Sequence, residues 1–346
     1  MSPDTDARAV EYLRERGHLQ AAAGREARLT VLAGGVSAET VLVEAGPERL
    51  VMKRALGKLL VAGDWHAKPE RAMTEAAAMR TLHAITPAHV PLLRDADSRL
   101  NVVVMEAAPA SWVNWKTVLM GECQDPGAGS TATATTLGRV LGTWHRRTWH
   151  DPAIAAGFDD AEAFEQLRIA PFYREVAARH PEVAGRVADC VRQLRATREC
   201  LVHGDYSPKN VLVGRDGLIV LDFEVAHTGA AVFDAAFMLS HLVLKAVHRP
   251  SQAGAMDEAA AAFLAAYGTA AGAGAVGGGV GASGDGDRLL GAHLACLLLA
   301  RVDGLSPAPY LAPATADLIR GLAVAQLAGP GPTVAEIWQH VREAVA

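Results

Sequence analysis

Residues 201–224, LVHGDYSPKNVLVGRDGLIVLDFE, set a polar loop ahead of two short aliphatic runs. Val211-Leu212-Val213 and Leu218-Ile219-Val220-Leu221 read as strands, and Gly214-Arg215-Asp216-Gly217 between them reads as a hairpin turn. A hairpin in this register brings Asn210 and Asp222 to the same end of a small ribbon. Asp205 sits on the loop beside them, five residues before Asn210.

Three oxygen-bearing side chains converging in this way suit phosphoryl transfer from a magnesium nucleotide. Mg²⁺ takes hard oxygen ligands, keeps several waters and uses one or two protein side chains plus phosphates. Asn210 and Asp222 fit that need, and Asp205 is placed to accept the proton of an attacking hydroxyl. Glu224, two residues after Asp222, is a further metal candidate. Solvated turn residues are the competing reading for any one of these groups; all of them in order count against it.

HGDYSPKN at 203–210 followed by LDFE at 221–224 resembles the aminoglycoside phosphotransferase and choline kinase superfamily of small-molecule kinases. The resemblance implies an α/β (α+β), protein-kinase-like two-lobed fold. It also implies ATP and Mg²⁺ as cofactors and a hydroxyl-bearing small molecule as acceptor. A second resemblance, to methylthioribose kinases, rests on Asp64-Trp65, on Arg71 four residues before Glu75, on Asp222-Phe223-Glu224, and on the Gly229 to Asp234 segment. Ser207-Pro208-Lys209-Asn210 departs from that group. In kinase-like folds an Asp at the place of Asp234 hydrogen-bonds the catalytic-loop backbone.

The N-terminal part supplies the expected nucleotide-binding half. A helix is expected over 4–20, then two strands within 29–44 around Gly34, Gly35 and Ser37, whose backbone N–H groups and hydroxyl suit phosphate. An ordinary hairpin is the equal alternative. Lys53 ends an apolar strand, and Glu75 lies on the helix expected over 69–84; such a pair holds α- and β-phosphates in kinases. The strand at 100–106 leads to a hinge at Met105–Ala108, where the resemblance puts adenine, at Met105 and Glu106. These residues form an N-lobe, 1–108, ahead of a C-lobe, 109–346.

In the C-lobe, 121–136 is Gly/Ser/Thr/Ala-rich and reads as a loop, followed by an amphipathic helix at 137–150. Residues 160–198 are expected to be helical, with Arg168, Tyr173 and Arg174 on a solvated face or reaching substrate. The Gly-rich stretch 268–287 reads as a connector, and 289–346 as helical. Trp65, Arg301 and Asp303 are the candidates for contact with the acceptor; an Arg301–Asp303 pair at a helix end is the plainer reading.

The remaining composition narrows the alternatives. The net charge is −5, which disfavours a nucleic-acid partner. The four cysteines form no C-x-x-C pair, and the N-terminus lacks an apolar signal segment, so a cytoplasmic protein with no membrane partner is expected. A protein kinase is disfavoured because Asp-Phe-Glu stands where Asp-Phe-Gly would be. A nucleotide-binding pseudokinase or interaction module is the alternative to a kinase of a methylthioribose-like sugar, an aminoglycoside-type antibiotic or another metabolic alcohol.

Overall fold

The computed structural model describes residues 3–19, 27–32, 37–59, 65–125, 127, 129–272 and 285–345. Gly34 and Gly35, Asp64 and most of the Gly-rich stretch lie outside these residues. The chain divides into two compact units, 1–110 and 111–346.

The first unit is a twisted antiparallel sheet with a helix on each side. It comprises α1 (Pro3–Glu15), β1 (Arg28–Val31), β2 (Ala38–Ala45), β3 (Glu48–Ala55), α2 (Arg71–Ile85), β4 (Leu93–Asp97) and β5 (Val102–Glu106), with sheet order β1-β2-β3-β5-β4. Tyr12, Leu13 and Leu19 pack with Val41, Val43, Leu50, Val102 and Val104 on one face. α2 contacts β3, β4 and β5 and buries Ala76, Met79 and Leu82. β5 is therefore paired on both edges, and Val102–Met105 are apolar because they are buried on both faces; Glu106 at its end is exposed.

The second unit is mainly helical. β6 (Val113–Asn114) leads into α3 (Trp115–Met120), α4 (Ser130–Arg147), α5 (Pro152–Gly157) and α6 (Glu162–Phe164). A ten-residue π-helix, Glu165–Arg174, then runs into α7 (Glu175–Arg179). After α8 (Ala184–Ala196) come β7 (Cys200–Val202), β8 (Val211–Gly214), β9 (Gly217–Val220) and β10 (His227–Gly229). The unit closes with α9 (Val232–His248), α10 (Ala253–Ala271), α11 (Asp285–Asp303), α12 (Pro313–Ala328) and α13 (Val334–Val345).

Two expectations for loops are corrected here. The loop ends at Gly129, and 130–136 already forms the first turns of α4, because Thr133 and Ala134 are buried and extend its apolar stripe. At the other end, 268–271 completes α10, where Ala271 is buried, and 285–287 opens α11. α4 and α10 lie close enough that a Cβ on Gly142 would come within 2.6 Å of the Tyr267 carbonyl oxygen. A Cβ on Gly138 would run into the carbonyl of Phe263. α9 is buried almost along its whole length, as its near-continuous apolar sequence requires.

Candidate active site

The β8–β9 hairpin forms with Val211 opposite Val220 and Gly214 opposite Gly217, leaving Arg215-Asp216 as a two-residue turn. Leu221 N–H donates to the Asn210 carbonyl at 2.8 Å, so the ends of the ribbon carrying Asn210 and Asp222 do meet. Asp222 has φ of +70°, in the left-handed region. A non-glycine residue there costs about 1–3 kcal/mol and persists only where its surroundings hold it. The carboxylate oxygens of Asp222 and Glu224 lie within 4.8 Å of each other. Asn210 uses its Nδ2 to donate to Asp205, at 3.0 Å to the carbonyl and 2.8 Å to Oδ2, which turns its Oδ1 into the acceptor end. Two carboxylates and an amide oxygen are a donor set that fits a divalent hard cation.

The loop carrying Asp205 is held from beneath by Asp234 on α9. Asp234 accepts from His203 N–H at 2.7 Å and Gly204 N–H at 2.8 Å, as the resemblance implied. His145 of α4 approaches the same carboxylate at 3.3 Å and the Tyr267 hydroxyl at 2.8 Å. It is thus a packing and anchoring group. Burial pushes the Asp234 carboxyl up, but the His145 and His203 contacts outweigh it and hold it below the usual range. Gly204 has φ of +76°, and a Cβ there would meet the Val225 carbonyl at 2.7 Å. The chain turns at this point in a way only glycine permits.

Asp205 is 3% exposed and surrounded by positive charge. Arg168 Nη2 lies 2.9 Å from its Oδ1, and Lys209 Nζ lies 2.9 Å from its Oδ2. Burial raises its pKa, and the charges of Arg168 and Lys209 overcome that and hold the carboxyl below the usual carboxylate range. Ser207, on the same loop, has a buried hydroxyl without a hydrogen-bond partner among the described residues.

Arg168 corrects the reading of its helix as a solvated face. Its Nε donates to the Gly204 carbonyl at 2.7 Å, and its guanidinium lies 5.7 Å from the Phe172 ring and 5.4 Å from that of Phe237. Tyr173 is also buried, bonded to His293 at 3.0 Å, whereas Arg174 is half exposed and pairs with Glu165. Arg168 stands four residues after Phe164 and four before Phe172, both buried, so helical spacing already puts it on the inner side. Pro171 lies inside this π-helix, and a regular α-helix does not accommodate an internal proline.

In the first unit, Lys53 on β3 meets both Glu75 oxygens, at 3.0 and 2.9 Å. Glu75 is buried and Lys53 nearly so, which makes this a fixed pair rather than a surface one. Ser37 is buried at the start of β2, and its carbonyl accepts from Leu56 N–H at 2.9 Å and from the buried guanidinium of Arg71. Arg71 also donates to the carbonyls of Ala67 and Lys68 and so ties Ser37 to the start of α2. At the hinge, Met105 is buried and Glu106 is exposed, pairing with Arg94 at 2.9 Å. Glu106 N–H donates to the Leu92 carbonyl and Ala107 N–H to the Arg49 carbonyl. Trp65 is half-buried, and its carbonyl accepts from Leu59 N–H at 2.9 Å.

Asp303 does not pair with Arg301. Its carboxylate is held by Arg320 at 2.7 and 2.9 Å and by His180 at 2.9 Å, which stitches α11 to α12. Arg301 instead turns its Nη1 to the Ser306 carbonyl and hydroxyl.

Comparison with known proteins agrees with this arrangement. Methylthioribose kinase 2 of Oryza sativa subsp. japonica is 26% identical over 227 residues, covering 59% of this chain and 53% of its own length. The chain thus spans about half the length of that curated relative. Among solved structures, Plasmodium vivax ethanolamine kinase superposes with a TM-score of 0.55 at 9% identity, covering 94% of this chain and 89% of its own. An amicoumacin kinase solved with AMP-PNP and Ca²⁺ gives 0.52 at 15% identity, over 95% and 96% of the two chains. These likenesses establish the protein-kinase-like fold. Residues 28–277, well over half of the chain, match the sequence profile of the phosphotransferase enzyme family, APH, and the chain belongs to that family.

Proposed function

We propose that this protein transfers the γ-phosphoryl group of ATP to a hydroxyl of a small molecule, with Mg²⁺ as the metal. The observation that carries this reading is the Asp205–Asn210–Asp222 constellation on a loop anchored by Asp234. Asp222, Asn210 and Glu224 would hold the metal, which neutralises charge on the phosphates. Lys53, fixed by Glu75, stabilises the α- and β-phosphates, with Ser37 on the same unit as a further phosphate contact. Met105 and Glu106 mark where adenine is read. A carboxylate held low by Arg168 and Lys209 is a weak base. Asp205 therefore orients the acceptor hydroxyl and takes its proton late, which suits a loose transition state in which positioning and electrostatics dominate. Trp65 and Arg301 are the acceptor-side candidates; the engagement of Asp303 by Arg320 and His180 favours a structural role for it.

The test is a transfer assay with radiolabelled ATP over sugars, aminoglycosides, amino alcohols and hydroxy acids, beside Asp205→Asn. Turnover should fall by roughly 10²–10⁴-fold in the variant, while the thermal shift with ATP and Mg²⁺ is retained. Near-native transfer by Asp205→Asn sinks the assignment of that residue. No Mg²⁺-dependent shift with ATP in the wild type sinks the kinase reading.

A further inference from the structure

Where α9 and α11 pack together, the second unit carries buried positive charge without a matching acid among the described residues. Lys245 of α9 is 1% exposed. Its Nζ donates to the His241 carbonyl at 3.3 Å and lies 5.8 Å from the Tyr310 ring. A buried ammonium has three protons to place, and among the described residues no carboxylate pairs with this one. Arg301, at the end of α11, spends Nη1 on Ser306. Its Nε is covered from solvent and makes no hydrogen bond, and the Tyr310 hydroxyl is in the same condition.

The neighbouring charges do not relieve this. Those acting on Lys245 come from Arg301 and Lys116, both positive; burial first, then these neighbours, push its pKa down to about 7. Those acting on His241 come from Lys245, Arg301, Lys209 and Lys116. Among the described residues, the carboxylate whose charge reaches Arg301 is Asp205, and it already faces Arg168 and Lys209. Burying an unpaired cation costs a protein several kcal/mol, and an anion arriving between Arg301 and Lys245 would hold Lys245 protonated and relieve both groups. The Nε–Nη2 edge of an arginine is a fork that matches the two oxygens of a carboxylate or phosphate, and in Arg301 its Nε is unbonded.

We propose that Lys245, Arg301 and Tyr310 seat an acid group of the acceptor, so that the molecule phosphorylated is a hydroxyl-bearing anion rather than a neutral sugar or a cationic amine. This rests on the kinase reading for the position of the hydroxyl. With the acid group on Arg301 and Lys245, the rest of a small acceptor extends toward Asp205, whose charge Arg301 already feels. The shared chemistry is a compact oxyanion, carboxylate or phosphate, on a small alcohol.

The experiment uses the purified full chain with AMP-PNP and Mg²⁺. D-Glycerate and glycerol 3-phosphate are the anionic probes, with glycerol and choline as neutral and cationic controls, read by thermal shift and titration calorimetry. Saturable binding of at least one anion is expected, and none of glycerol or choline. Glycerate ahead of glycerol 3-phosphate identifies the acid group as a carboxylate, and the reverse order as a phosphate. Lys245→Met and Arg301→Met should each weaken anion binding by roughly tenfold or more, the loss of one charge-assisted contact, and leave the AMP-PNP shift in place. Lys245→Met removes an uncompensated buried charge, so it should melt no lower than wild type. Equal anion binding by wild type and both variants overturns the proposal, as does the absence of saturable binding by either anion. A missing AMP-PNP shift with anion binding intact would instead sink the kinase reading and leave the anion seat standing.

Discussion

Asp205 is held by three groups that each use a different part of the chain: Arg168 from the π-helix, Lys209 from its own loop, and Asn210 at the head of the hairpin. Of these, Arg168 exerts the largest lowering influence on its carboxyl, against the upward push of burial. Replacing it with methionine leaves burial less opposed, so the Asp205 pKa rises. The sign follows directly. Protonated, inactive Asp205 appears at higher pH, and the acid limb of the kcat profile moves upward, while Arg168→Lys moves it less. The stability that Asp205 contributes above its unfolded pKa is likewise lost earlier on acidification. A pH–kcat profile checks this. A uniform loss at every pH, with the limb unmoved, means Arg168 is a packing residue only.

At the level of elements, the Asp205 loop depends on α9 for Asp234 and on α4 for His145, and α4 in turn depends on its close approach to α10. Gly138→Ala forces a methyl against the Phe263 backbone, which has no flexible end to move away. A destabilisation on the order of 1–3 kcal/mol is expected, seen as a lowered Tm, with Gly185→Ala as the open-space control. The parts of this arrangement that were legible in the sequence are local ones. The β8–β9 hairpin and the convergence of Asn210 on Asp222 follow from turn residues and alternating strands. The Lys53–Glu75 pair follows from a strand ending in a cation before a helix carrying an acid. What was not legible depends on partners far along the chain. A 3.6-residue period sets Arg168 four residues from both Phe164 and Phe172, on their buried side, and its inward place was hidden by its charge and by partners, Gly204 and Asp205, that lie far along the chain. Arg301 and Asp303 are two residues apart, yet one turns to Ser306 and the other to Arg320 and His180, a division set by α12. The first turns of α4 were hidden by a Thr/Ala composition that carries no apolar period.

For the molecule as a whole, no helix among the described residues is long and apolar enough to cross a membrane. The proposed chemistry is spread over both compact units, and the family match at 28–277 includes residues of each. The backbone at Asp222 then bears on the whole chain. Its left-handed conformation disfavours every side chain and suits glycine, and its carboxylate adds a like charge beside Asp205. Asp222→Gly relieves the backbone by an amount on the order of 1 kcal/mol and removes that like charge, against the loss of the carboxylate's own contacts, while Mg²⁺-dependent transfer disappears. Paired melting and activity measurements decide it: a lower Tm means that Asp222 also holds the fold together. Where the variant melts higher, selection for thermal robustness alone drives this position to glycine, and a survivor of such a screen is a sturdier protein without its chemistry.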